Sequence, residues 1–355
     1  MIIGSGTLYI KPIVGFVMSQ LIPSHVSPPA PGELQLIAED LYWLRMPLPF
    51  ALDHINLYLI RDTGGWAIVD TGICSRTTKA LWSQIQEQLD GPITRIVVTH
   101  MHPDHVGCAG FLTESLRVPM YMSQTEYFAS RALFAGAQGA GNWQDVQYYQ
   151  RAGLDADTVT KLTSGDGGFK QIVSPLPLSF QRLRAGQVLH INGASWECIL
   201  GEGHSPEHIS LYCDERRVLI AGDQILPEIT PNIGSYSTQP DSNPLAGYLT
   251  SLDNFSHCHP ETLVLPSHRQ PFVGIHTRIQ ELKAHHHAHL DTLRTVCQTP
   301  QTIVEILPHL FARELNEHGM FFAIAEAYAH VNYLLALGAL TRHEERGVYF
   351  FSTLN

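Results

Sequence analysis

Apolar positions along the chain change their spacing several times, and each change predicts a different element. Short strand-like runs come first, at residues 41–46, 55–60 and 66–69. Apolar positions at helical spacing follow over 77–89, with Ser75 as the expected N-cap. A buried-looking run, 95–99, then leads into a helix from about 106 to 116. Strand signals return at 196–200, 208–212, 218–221 and 262–265. A meander followed by alternating strands and helices predicts an α/β fold, with sheets carrying helices on their outer faces.

The same pattern divides the chain. Residues 1–33 form an N-terminal extension that ends in the Pro-rich SHVSPPAPGE, expected to be extended rather than packed. The main domain runs over 34–275, with a helical insertion at about 124–175. That insertion contains the Gly/Ala hinge AGAQGAGN and the aromatics Tyr127, Phe128, Phe134, Trp143, Tyr148 and Tyr149, which read either as a lid over an acyl-bearing substrate or as plain lid core. A linking helix, 276–298, leads to Thr299-Pro300, read as a cap with proline at the first helical position. Residues 299–355 then read helix (301–311), helix (320–337, stopped by Gly338) and hairpin (around RHEERGVYFF), a small α+β module of winged-helix type.

Composition narrows the partners. The 355 residues are 44% hydrophobic and 15% charged with a formal charge of -11, which suits a large core and disfavours nucleic acid. The winged-helix module offers Arg313, Arg342 and Arg346 against Glu305, Glu314, Glu317, Glu326, Glu344 and Glu345. Its presumed recognition helix has no strong cation, so it reads as a packing or dimerisation face, a route to a homo-oligomer. No apolar run reaches the roughly 20 residues of a membrane span. Lys11 inside the N-terminal apolar patch argues against a signal peptide, and Met18 precedes a more ordinary start. Six cysteines without a C-x-x-C pair fit reduced thiols, and the expected location is cytoplasmic.

Candidate chemistry is concentrated in THMHPDHVG, residues 99–107, directly after a strand. His100, His102, Asp104 and His105 lie within six positions, a density that suits zinc or a similar borderline divalent ion. Even with 20 histidines in the chain, chance produces this spacing on the order of a few times per thousand such chains. Four more polar residues stand just past apolar strands: Asp70, His204, Asp223 and His268. Strand ends are where such sheets place their sites.

This ordered series resembles the metallo-beta-lactamase superfamily over roughly residues 38–275. The resemblance implies a four-layer αββα sandwich with a dinuclear centre at one edge of its two sheets. It implies that His100, His102 and His204 bind one ion, that Asp104, His105 and His268 bind a second, that Asp223 bridges them, and that Asp70 orients a ligand from behind. The C-terminal module is similar to that of small acyl hydrolases related to hydroxyacylglutathione hydrolase.

Two divalent ions, Zn by preference with Fe or Mn as alternatives, would share a water and present it as hydroxide to an ester or thioester carbonyl of a small-molecule substrate. Asp104 and His208 are the candidates for direct participation in catalysis. His208 reads either as a proton donor to the leaving group or as a strand-start residue that hydrogen-bonds near the site. Lactone or phosphodiester hydrolysis, and a mononuclear-iron persulfide dioxygenase, are the rival readings. A Cys replaces the equivalent of Asp223 in the best-known beta-lactamases, which argues against antibiotic hydrolysis. Elsewhere, Ala284-His-His-His-Ala-His289 reads as a solvated helix face in preference to a metal site, although His285 and His289 stand at i and i+4.

Overall fold

The computed structural model describes residues 21–136, 142–165, 168–311 and 316–354. The readings of residues 1–17, of most of the Gly/Ala hinge, and of Arg313 and Glu314 lie outside these. Ile22–Pro23 (β1) stands alone before the first long meander. Gln35–Ala38 (β2), Leu41–Pro47 (β3), His54–Asp62 (β4), Gly65–Val69 (β5), Ile93–Val97 (β6), Met120–Ser123 (β7) and Gln181–Leu183 (β8) make one seven-stranded sheet in that order. Val188–Ile191 (β9), Ala194–Gly201 (β10), His208–Cys213 (β11), Val218–Gly222 (β12), Leu263–Pro266 (β13) and Phe272–Val273 (β14) make the second, with β1 on its far edge.

Alternation along the strands explains the layering. In β4, Tyr58 and Ile60 face the second sheet, where they join Trp43, Trp196, Ile209, Leu211 and Ile220 in the core between the sheets. Leu57 and Leu59, one position out of phase, face outward. There they meet the helices Arg76–Gln88 (α1), Pro103–Val106 (α2), Ala109–Leu116 (α3), Gln124–Ala135 (α4) and Phe169–Ile172 (numbered α7 below) through Trp82, Ile85, Leu112 and Tyr127. Trp143–Arg151 (α5) and Ala156–Thr163 (α6) precede α7 in the chain and join the opposite layer. That layer covers the outer face of the second sheet with Pro244–Ser251 (α8), Ile275–Val296 (α9), Ile303–Leu310 (α10) and Glu317–Ala336 (α11). The result is the expected α/β sandwich, helices on both sides of two stacked sheets, with a terminal hairpin of Leu340–Glu345 (β15) and Val348–Thr353 (β16). Among the described residues no helix is long and apolar enough to cross a membrane.

Four local expectations change. Ile22 and Pro23, just ahead of the Pro-rich 24–33 and expected to belong to no element, form a strand against Val273 and Phe272. The helix expected over 106–116 is two helices, broken where Gly107 approaches the Gly72 carbonyl too closely for any side chain. Helix α10 starts after Thr302 rather than at Pro300. Thr302 and Glu305 form a reciprocal capping box, and Gln301 is held instead by backbone hydrogen bonds to Phe351. Finally, Tyr127, Tyr148 and Tyr149 are buried, with Tyr148 tilted against Tyr328 of α11 at 4.8 Å, so these insertion aromatics are core rather than pocket wall. Of the six, Phe128 and Trp143 are exposed.

One polar side chain ties the sheets together. Asn56 sits inside β4 and uses its whole hydrogen-bonding capacity. Its amide nitrogen donates to the carbonyls of Pro266 (2.9 Å) and Arg269 (2.8 Å), and its oxygen accepts from Trp43 Nε1 (2.9 Å) and Arg45 Nε (3.1 Å). The Asn56 backbone N–H donates to Ser267, and the Tyr58 hydroxyl also reaches Pro266. The loop carrying His268 is thereby pinned to a strand more than 200 residues earlier. Replacing Asn56 with Ala removes four side-chain hydrogen bonds and leaves the buried Trp43 Nε1–H without its acceptor, and is expected to cost about 3 kcal/mol. Chemical denaturation checks this, and an unchanged midpoint would show that the loop is held by something else.

Candidate metal centre

Each candidate ligand is delivered by the end of a strand. Strand β5 ends at Asp70, whose backbone takes a left-handed φ of 60° and whose N–H bonds to the Val97 carbonyl of β6. Strand β6 ends at Val97 and leads through Val98 to Thr99 and His100. The chain then turns through His102 and Pro103, proline starting α2 so that Asp104 and His105 lie in its single turn. His204 follows β10, Asp223 follows β12 and His268 follows β13. Asp70, His100, Asp104, His105, His204, Asp223, His268 and His208 are buried, while His102 is partly exposed.

These side chains converge in two adjoining groups. His100, His102, His204 and Asp223 bring one ligand atom each within 4.8 Å of one another, as do Asp104, His105 and His268. Asp223 touches both groups, its carboxylate lying 3.4 Å from His204 Nε2, 3.5 Å from His105 Nε2 and 3.4 Å from His268 Nε2. His268 Nε2 is also 3.4 Å from Asp104.

The outer nitrogens of four of these imidazoles, His100, His105, His204 and His268, are engaged. Asp70 accepts from His105 Nδ1 (2.8 Å), from the Thr99 hydroxyl (2.8 Å) and from the Thr99 N–H (2.8 Å). Since that hydroxyl donates to Asp70, it accepts from His100 Nδ1 at 3.0 Å, which leaves the His100 Nε2 lone pair facing inward. His204 Nδ1 donates to the Asn232 carbonyl (2.9 Å) and His268 Nδ1 to the His54 carbonyl (3.0 Å). A partner behind each ring that fixes its tautomer is the arrangement of metal-binding histidines.

Electrostatics divide the cluster. Burial, reinforced by His204, pushes His102 down to about 3, and burial with His105 holds His100 well below the ordinary imidazole value. Burial also opposes charge on His268, but Asp223 and Asp104 prevail and raise it to about 9. His105 is raised in the same way by Asp104, Asp70 and Asp223. The carboxylate-rich half thus collects positive charge wherever it can find it.

The donor set fits divalent metal binding. Both Asp104 oxygens, Asp223 Oδ1, and Nε2 of His105, His204 and His268 are buried without any hydrogen-bond partner, although each is aimed into the cluster. Buried polar atoms in such number require a common partner. Nitrogen and carboxylate donors together suit zinc, iron or manganese.

His208 is placed differently. It opens β11, is fully enclosed, and its Nε2 accepts the Asp223 backbone N–H at 3.2 Å. Gly222, at φ 57°, makes the approach possible, because a Cβ there would meet His208 Nε2 at 2.3 Å. Sequence reasoning missed three supports: Asn232, Thr99 and Glu126. Buried Glu126 accepts the backbone N–H groups of Met101 (2.9 Å) and Glu207 (2.6 Å), joining the two ligand loops to α4. The polar residue inside the apolar run of Thr99 was a readable signal; Glu126, on an ordinary amphipathic helix, gave none.

Comparison with known proteins agrees with this geometry. The model of the metallo-beta-lactamase superfamily matches residues 51–268, and that of the metallo-beta-lactamase-like C-terminal domain matches 290–354. The probable metallo-hydrolase YqjP of Bacillus subtilis is 25% identical over 90% of this chain and 99% of its own length. A linear primary-alkylsulfatase from a Pseudomonas species is 24% identical over 71% of this chain, which spans half of that protein. Among solved structures, a beta-lactamase domain protein from Burkholderia ambifaria is 40% identical with a TM-score of 0.87, covering 94% of this chain and 98% of that one. A metallo-beta-lactamase family protein from Thermus thermophilus is 29% identical with a TM-score of 0.76, covering 90% of this chain and all of the other.

Because Asp70 acts on the ligands from behind, Asp70→Asn should leave the fold in place yet weaken metal affinity by roughly 10- to 100-fold. Competition against a chelator reads this directly, and undiminished affinity would remove Asp70 from the assignment.

Proposed function

This chain is a metallo-hydrolase of the metallo-beta-lactamase superfamily, and we propose that it is a dinuclear enzyme that hydrolyses thioesters or comparably activated esters of small acyl substrates. The support for two ions is the set of orphaned donor atoms and their division into two groups that share Asp223. His100, His102 and His204 would hold one ion and Asp104, His105 and His268 the other, with Asp223 between them. When bound, such ions lower the pKa of a water toward neutrality and polarise the carbonyl under attack. The protein's own contribution is to hold the ligands rigidly: Asp70, Asn232 and the His54 carbonyl fix the ring tautomers, and Asn56 and Glu126 fix the loops.

The observation that carries the choice of substrate is the position of His208. The ring is wholly enclosed and held by the Asp223 N–H at Nε2, which leaves its own proton on a buried Nδ1; this enclosure supports a positioning role for His208 rather than proton donation to a leaving group. A thiolate leaves without a proton, whereas an alkoxide or amine needs one. Thioesters therefore suit this site better than unactivated esters or amides.

The test is the metal content of the purified protein followed by turnover of thioesters, lactones, phosphodiesters and primary alkyl sulfates. Two ions per centre and preferential thioester hydrolysis are expected, with Asp223→Ala losing turnover and metal together. Inert thioesters beside a productive phosphodiester or alkyl sulfate would overturn the substrate reading. A single iron with oxygen consumption would overturn the hydrolytic one.

A further inference from the structure

A second crowd of histidines lies outside this centre, and the expectation for it is corrected by the fold. The run Ala284-His-His-His-Ala-His289 is solvated only in part: His287 is exposed, but His286 and His289 are buried and His285 half-buried on the side that meets α11. Helix α11 is apolar along this stretch except for Glu326 and His330, which are four residues apart and both buried. The two helices therefore bring five chemistry-bearing side chains, His285, His286, His289, Glu326 and His330, into one interface.

Hydrogen bonding satisfies two of them in part. His330 Nδ1 donates to the Glu326 carbonyl at 2.8 Å, so its Nε2 is an acceptor and receives His286 Nδ1–H at 3.1 Å. The others are stranded. His285 Nε2, His289 Nδ1 and Glu326 Oε1 are all buried without a hydrogen-bond partner. His285, His289 and Glu326 nevertheless bring one ligand atom each within 4.8 Å of one another. Among the described residues no Lys or Arg pairs with Glu326, and burial alone pushes its carboxyl up to about 8. Two imidazole nitrogens and a carboxyl oxygen gathered in one interface, each without a hydrogen-bond partner, are unfavourable unless an ion joins them.

We propose that His285 and His289 of α9 and Glu326 of α11 form a further cation site, which takes zinc or a similar borderline divalent ion and fastens the C-terminal module to the linking helix. Two imidazoles at i and i+4 on one helix face, closed by a carboxylate from another element, supply the donor types and the spacing that zinc accepts. The three ligands leave a tetrahedral ion one position for water. The site also reaches the main centre. Glu326 Oε2 accepts from Asn232 Nδ2 at 3.0 Å, and the Asn232 carbonyl is the acceptor that orients His204 at 2.9 Å. An ion that holds Glu326 in its ionised form thereby holds Asn232, and Asn232 positions His204.

The test is the zinc content of the full-length protein after exhaustive dialysis. His285→Ala/His289→Ala should carry one equivalent fewer than the wild type, while Asp223→Ala should keep that equivalent. Equal zinc in the wild type and the double variant overturns the proposal. Should the double variant fail to fold, cobalt(II) is titrated into metal-stripped protein carrying His100→Ala, His102→Ala, Asp104→Ala, Asp223→Ala and His268→Ala, which breaks up both groups of the main centre. One saturable equivalent with the visible absorption of a nitrogen- and oxygen-liganded ion is expected there, and the absence of saturable absorption overturns the site. Both arms read metal rather than turnover, so failure of the thioester reading leaves the outcome unaffected.

Discussion

Burying two carboxylates and five imidazoles at one edge of a sandwich is the constraint on which the rest of the structure depends. Such groups cannot satisfy one another. The inner nitrogens and the carboxylates stand 3.4 to 3.7 Å apart without hydrogen-bond geometry, and even the imidazoles that acquire charge leave donor atoms unmatched. The arrangement is tolerable only if cations occupy it and if the surrounding backbone prevents the ligands from turning toward better partners. Both conditions are visible in the surroundings, where a carboxylate, a hydroxyl and two carbonyls hold four of the rings from behind.

That restraint draws on the whole chain. His268 is fixed by the carbonyl of His54 and by the loop that Asn56 grips, so the last ligand depends on the second long strand. Glu126 at the start of the insertion ties the first motif to the loop after His204. The insertion and the C-terminal module accordingly behave as buttresses. Tyr127, Tyr148 and Tyr149 bury themselves in the helix layers outside the sheets, whereas Phe128 and Trp143 stay exposed.

The candidate ligand series was legible because His100, His204, Asp223 and His268 stand just past apolar runs and His102, Asp104 and His105 crowd into the turn that follows His100. The layered fold followed from the same runs. The partners behind the ligands could not be read, since a hydrogen bond between Asn56 and Pro266 spans 210 positions and leaves no local periodicity. Asn56 was nevertheless an anomaly, a polar residue inside Ile55-Asn-Leu-Tyr-Leu-Ile60, and such interruptions carry as much information as strand ends. The helix start at Thr302 shows a competition that spacing alone could not decide: a capping box with Glu305 prevails over the preference of Pro300 for a first turn, because Gln301 is committed to the hairpin.

Glu326 carries the same lesson further. Within MFFAIAEAYAHVNYLLAL it is the one acidic residue, and a carboxylate in so apolar a helix can be tolerated only where something of opposite charge or a donor meets it. One of its oxygens meets Asn232; the other faces histidines whose lone pairs are likewise unmet. Charge accounting along a single helix therefore predicts the presence of a counter-charge, while only the packing of α9 against α11 reveals its neighbours. Because Asn232 also receives His204, the apolar module and the metal centre share one polar path, and the module is part of what keeps the centre in order.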